Sequence, residues 1–119
     1  MATTVDEFVS AYDGEAREWL DIFVTFMRQN FPETEEVISY QIPTWKFPGK
    51  KMYIAVSLAK AHFTFHTLDF DMIEELKGLL PKAQFGKGSA KVPYSERQSI
   101  PILFDMARKI AARHKASAA

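Results

Sequence analysis

The sequence predicts an α+β domain, in which a small antiparallel sheet of about four to five strands packs against helices, two N-terminal and one C-terminal. Three features carry that expectation. Apolar residues recur at three- and four-residue steps before residue 31 and again after residue 99. Between residues 38 and 66 they alternate with polar ones instead, the period of a strand. The links between the alternating segments are short, which favours antiparallel neighbours. At 119 residues, 47% apolar and 25% charged, the chain can bury a core and is unlike a disordered segment. No linker or repeat divides it, so residues 1–119 read as one domain.

Thr4-x-x-Glu7 has the spacing of a capping box and opens a short helix over Val5, Phe8, Val9 and Tyr12. Asp13 is placed to cap a longer second helix, with Ala16, Trp19, Leu20, Phe23, Met27 and Phe31 on one face. Ile22 and Phe26 widen that stripe, so the helix is either covered on two sides or forms a dimer contact. Phe31-Pro32 ends it. An acidic bridge, Glu33 to Glu36, leads to a strand pattern at Ile38, Tyr40 and Ile42. Pro43 then reads as a corner or edge position, because proline cannot donate to a ladder. Trp45 and Phe47 begin a second short strand, and Pro48-Gly49 supplies a turn. Met52 to Leu58 and His62 to His66 read as a hairpin about Ala59-Lys60-Ala61. Asp71-x-x-Glu74 starts a further helix that Pro81 ends. Phe85 to Pro93 is a glycine-rich turn entering a short extended segment. The last helix starts around Ser99 to Pro101, and Ala116 to Ala119 form a frayed tail.

Several chemistries are excluded by composition. Without cysteine there is no disulfide, thiolate nucleophile or cysteine-held metal. The N-terminus lacks a basic region followed by an apolar run, and no apolar run is long enough to span a bilayer. A cytoplasmic protein without membrane partners is expected. Charge is zero in sum but uneven. Residues 1–40 hold nine acids against two arginines, leaving −7, and the remainder holds thirteen Lys and Arg against six acids, leaving +7. The two parts either attract and pack together or present acidic and basic surfaces. Zero net charge and the lack of an RNA-binding signature argue against nucleic acid.

No residue set spells out catalysis. Gly86-Lys87-Gly88-Ser89 lacks the spacing of a phosphate loop, and no serine sits in a nucleophile elbow. His62 and His66, four apart on a strand, share a face but stand about 13 Å apart, too far to hold one ion together. The richest stretch is Ile38 to Lys50, with three aromatics, two prolines, a glycine and two lysines. It reads as a binding surface at which Tyr40, Pro43, Trp45, Lys46, His62 and Lys87 surround a small anionic ligand or a peptide segment. Lys46, Lys50, Lys51, Lys87 and Lys91 form its basic rim if the last strand lies beside the first two. The alternatives are that Tyr40 and Trp45 are core residues and that the lysines protect sheet edges.

The run Ile38-Ser39-Tyr40-Gln41-Ile42-Pro43-Thr44-Trp45-Lys46, with Gly49-Lys50 and the later Gly86-Lys87-Gly88-Ser89, resembles the YdhG-like family of bacterial proteins. That family typically shows an ISYxxPxFK core, and the likeness extends from Val5 to Lys115. Trp45 stands where the family often has Phe, and Lys91-Val92-Pro93 replaces its usual basic–aromatic pair. The resemblance implies an antiparallel sheet packed on helices. It also implies an alternative function, since some relatives are described as frataxin-like iron chaperones serving iron–sulfur or haem assembly proteins. No resident cofactor is expected. Iron as cargo would need hard oxygen ligands. By charge, the candidates are Asp6, Glu7, Asp13, Glu15, Glu18, Asp21, Glu33, Glu35 and Glu36; a solvated acidic surface is the plainer reading of the same residues. A third reading is an interaction protein, monomeric or a homodimer through Ile22 and Phe26.

Overall fold

The computed structural model describes residues 2–49 and 51–115. Lys50, expected in the basic rim, and the tail Ala116 to Ala119 lie outside them. Helices α1 (Val5–Ser10) and α2 (Gly14–Asn30) lead into β1 (Glu35–Ser39), β2 (Ile42–Lys46), β3 (Tyr53–Leu58) and β4 (His62–Thr67). Helix α3 (Phe70–Lys77), strands β5 (Gln84–Gly86) and β6 (Ser89–Pro93), and helix α4 (Ser99–Lys115) follow. The sheet is antiparallel throughout, in the order β1-β2-β3-β4-β6-β5. Six strands exceed the four to five expected because the glycine-rich segment is itself a hairpin, with Gly86 opposite Ser89 about Lys87-Gly88. A side chain at Gly88 would meet the Thr67 carbonyl at 2.6 Å, so the tip lies directly against the end of β4.

Alternation puts Trp45, Ile54, Val56, Phe63, Phe65, Ala90 and Val92 on one face of the sheet, where all are buried. The helices cover that face. Trp19, Leu20, Phe23 and Met27 come down from α2, and Leu103, Met106, Ala107 and Ile110 from α4. Phe23 is the hub, with ring centres 5.4 Å from Phe63, 6.0 Å from Phe65 and 6.2 Å from Trp45. The wide apolar stripe on α2 is answered within the chain. Phe26 stacks on Phe104 of α4 at 3.9 Å and 1°, and the Arg108 guanidinium lies over the same ring. Phe26 is therefore covered on its second side by α4, and it is Ile22 that stays half-buried.

The capping box at Thr4 and Glu7 forms as expected, and Asp13 is the N-cap of α2. Helix α3 departs from expectation. It starts at Phe70 after Asp69, not at Asp71, and stops at Gly78, before Pro81. Asp69 does not use its side chain as a cap. Its buried carboxylate accepts hydrogen bonds from Arg113 Nε and pairs with His114 Nε2, both at 2.9 Å, tying α4 to the start of α3. Burial pushes that carboxyl up, but hydrogen bonds to His114 and Arg113 outweigh it and leave the group below its ordinary value. The two oppositely charged parts of the chain do meet, for example at Arg97 and Glu18, 3.2 Å apart.

The Ile38–Lys50 stretch folds differently from the proline corner expected of it. Its turn is Tyr40-Gln41, a two-residue hairpin in which Ser39 faces Ile42. Both turn residues have positive φ, 51° and 69°, the signature of a type I′ turn. Pro43 lies inside β2, buried and opposite Ile38. Its missing N–H costs little there. In a two-residue hairpin the pair next to the turn is hydrogen-bonded, so the following one, Ile38–Pro43, is not. On the other side, pairing of β2 with β3 begins only at Thr44. Pro48-Gly49 forms the expected turn, with Gly49 at φ 68°.

Candidate functional site

Among the described residues, the four helices leave the opposite face of the sheet uncovered over the groove. Register places Val37, Thr44, Ala55, His66 and Ser89 in one row across it. Lys46 and Tyr53 stand on one side of that row, and Ser39, Ile42, Ser57 and Thr64 on the other. Ala55 is the smallest side chain between Thr44 and His66, and the surface dips over it. The result is a groove of about 460 Å³ lined by Ser39, Tyr40, Ile42, Thr44, Lys46, Tyr53, Ala55 and His66. Tyr40, at the hairpin tip, forms the rim and is 96% exposed.

Of the six residues expected to surround a ligand, the structure brings Tyr40 and Lys46 together here. Trp45 points the other way. Its side chain is 1% exposed, and its indole N–H donates to Glu36 Oε1 at 3.0 Å. Strand alternation requires this, since Lys46 and Thr44 face the groove. Pro43, two residues before Trp45, shares its core side and does not line the groove. His62 is on the open face but at the far end of β4, opposite Pro93. Lys87 turns to the helix side, with its ammonium 5.0 Å from the centre of the Phe70 ring. The basic rim does not assemble, because β6 is separated from β2 by β3 and β4.

Four of the nine acidic candidates for iron are drawn into ion pairs, Asp6 with Arg28 among them. Asp21 pairs with Arg17, Glu18 with Arg97, and Glu36 with Arg28. Among the described residues, no three His, Asp or Glu side chains form a group that could hold a metal ion. Hydrogen bonds from Arg28, opposed by burial and aided by Trp45, hold the Glu36 carboxyl below its ordinary value.

Sequence reasoning left out His66, Tyr53, Ala55, Thr44, Ile42 and Ser39 as site residues. The signal for His66 was available. A hairpin about residues 59–61 pairs Ala55 with His66, which puts His66 on the face of Lys46. His66 Nε2 lies 2.9 Å from Ser57 Oγ. The ring is half-buried, and burial pushes its pKa below the ordinary 6.5. The unfolded chain then binds the proton more readily than the folded one. Stability attributable to His66 is therefore complete above about pH 6.5 and declines as pH falls from there towards the lower folded value. Denaturation midpoints measured from pH 7 to pH 5 are expected to fall for the wild type and to fall less for His66→Gln. Equal slopes would remove His66 as the source.

Among the described residues, no helix is long and apolar enough to cross a membrane. No family model matches the sequence, and no curated protein matches it. A solved structure does. It is a protein of the DUF1801 family from Bacillus subtilis, YdhG, and the likeness covers 89% of this chain and 90% of that one. Its TM-score is 0.66 at 16% sequence identity, a likeness of fold. The chain thus has the fold of YdhG, the protein for which the family that its Ile38–Lys46 pattern resembles is named.

Proposed function

We propose that this chain is a non-enzymatic binding domain of the YdhG-like family, holding a small ligand in the groove on the open sheet face. The observation that carries this reading is Tyr40. A bulky residue at positive φ is an outlier that costs about 1–2 kcal/mol, and here that conformation holds an almost fully exposed aromatic ring at the groove's rim. Strained backbone of this kind concentrates where a side chain must be presented. The lining is also of the mixed kind that ligand sites favour, with apolar floor and wall at Ala55 and Ile42 among a few polar groups.

On this reading the Ser57–His66 contact is a structural hydrogen bond of the sheet face. Among the described residues no carboxylate hydrogen-bonds His66, so the base has no orienting acid.

The test is a ligand-detected NMR fragment screen against the wild type, Ala55→Leu and Tyr40→Ser. Ala55 points to the open face, so leucine fills the groove floor without entering the core. Hits are expected to be lost in Ala55→Leu and weakened severalfold in Tyr40→Ser, with the thermal midpoint retained. Hits indifferent to both changes would end this reading.

A further inference from the structure

Resting on that reading, we infer that the groove takes a small monoanion, specifically a carboxylate on a flat apolar body, with Lys46 as its charge partner and Ala55 setting the depth available. The charge argument is one of complementarity. Lys46 makes no ion pair with any described residue, and none of the eight lining residues is acidic. The nearest opposing group is Glu35, its cross-strand partner on β1, which is exposed and unpaired with it. Lys46 therefore supplies the one formal charge among the eight residues that line the groove, with Glu35 beside it outside the lining.

The same inventory separates a carboxylate from a phosphate. A phosphate dianion is met by arginine forks, a helix N-terminus or a nest of backbone N–H groups. Among the described residues the groove has no arginine, its strand backbone is committed to the sheet, and Lys46 is the only lysine or arginine lining it. A single negative charge is matched, and a double one is not. One hydroxyl donor stands beside that charge, on Tyr53, the cross-strand partner of Lys46, and two more, on Ser39 and Tyr40, stand at the other end of the groove. Among the described residues, Ser39, Tyr40 and Tyr53 donate no side-chain hydrogen bond, whereas the Thr44 hydroxyl already donates to the Ile42 carbonyl at 3.1 Å. Three hydroxyl protons are thus free for the oxygen atoms of a ligand.

The body of the ligand follows from the rest of the lining. Ala55 opens space between Thr44 and His66, Ile42 offers an aliphatic wall, and the Tyr40 ring overhangs as a stacking surface. A planar apolar body covers all three, and a sugar or a bare ion does not.

The experiment follows backbone amide shifts of Thr44, Tyr53, Ala55 and His66 while the full chain is titrated with 2-naphthoate, 2-naphthamide and inorganic phosphate. Saturable shifts with naphthoate are expected, with an affinity at least tenfold that for the amide or for phosphate. Lys46→Gln, a change at an exposed side chain, is expected to erase the preference for acid over amide and leave the thermal midpoint in place. Amide or phosphate binding as tightly as naphthoate would overturn the monoanion while leaving the groove as a site. So would an undiminished preference in Lys46→Gln. No shift at these four residues with any probe would overturn both.

Discussion

Replacing Trp45 with alanine is expected to destabilise the fold by about 3–5 kcal/mol, a large share of the ~5–15 kcal/mol that holds a domain of this size together. Two losses combine. The indole is 1% exposed and packs against Phe23, so its removal opens a cavity under the centre of the sheet. It also withdraws a hydrogen-bond donor from Glu36, whose carboxylate takes two further bonds from Arg28, at 2.9 and 2.8 Å. Arg28 bonds Asp6 in turn, so the network joins α1, α2, β1 and β2. Trp45→Phe keeps most of the packing and loses only that donor, with an expected cost of about 1–2 kcal/mol. Urea denaturation of the two variants measures both. A ligand-contacting tryptophan on an open surface would behave otherwise, losing binding while leaving the denaturation midpoint almost unmoved.

Changing Tyr40-Gln41 to Asn-Gly is expected to act in the opposite direction. The left-handed region costs a non-glycine residue about 1–2 kcal/mol, and this turn places two residues there. Asn-Gly is the pair that type I′ hairpins favour. A gain of about 2 kcal/mol is expected, which for a domain of this length raises the thermal midpoint by several degrees. The stabilised variant is expected to bind groove ligands less well, because the ring at the rim has gone. Scanning calorimetry together with the naphthoate titration reads both halves. A stability unchanged or lowered by Asn-Gly would show that the turn is not strained, and Tyr40 would lose its standing as a residue held in place for use.

These two cases also show where the sequence was legible. The helices were readable because their apolar period and caps are local, as at Thr4-x-x-Glu7 and Asp13. The β3–β4 hairpin was readable for the same reason. The β1–β2 turn was not, since neither Tyr40 nor Gln41 is a residue that type I′ turns select, and the nearby Pro43 carried a stronger but misleading signal. Once the turn moved by two residues, each side chain beyond it changed partners. Trp45 takes a place in the core, while Lys46 lies in the groove as expected. Lys87 was misplaced for another reason. Its position depends on β6 pairing with β4 and not with β2, a long-range choice that no local pattern records.

The stacked pair Phe26–Phe104 carries a consequence for how the chain is made. Phe26 is present early in synthesis, but its cover arrives only with residues 99–115, as do Leu103, Met106 and Ile110 over the sheet. Until the ribosome releases residues 99–115, the helical layer is missing one of its two long members and apolar surface stays uncovered. Closure of the core in this way waits for residues 99–115 to emerge.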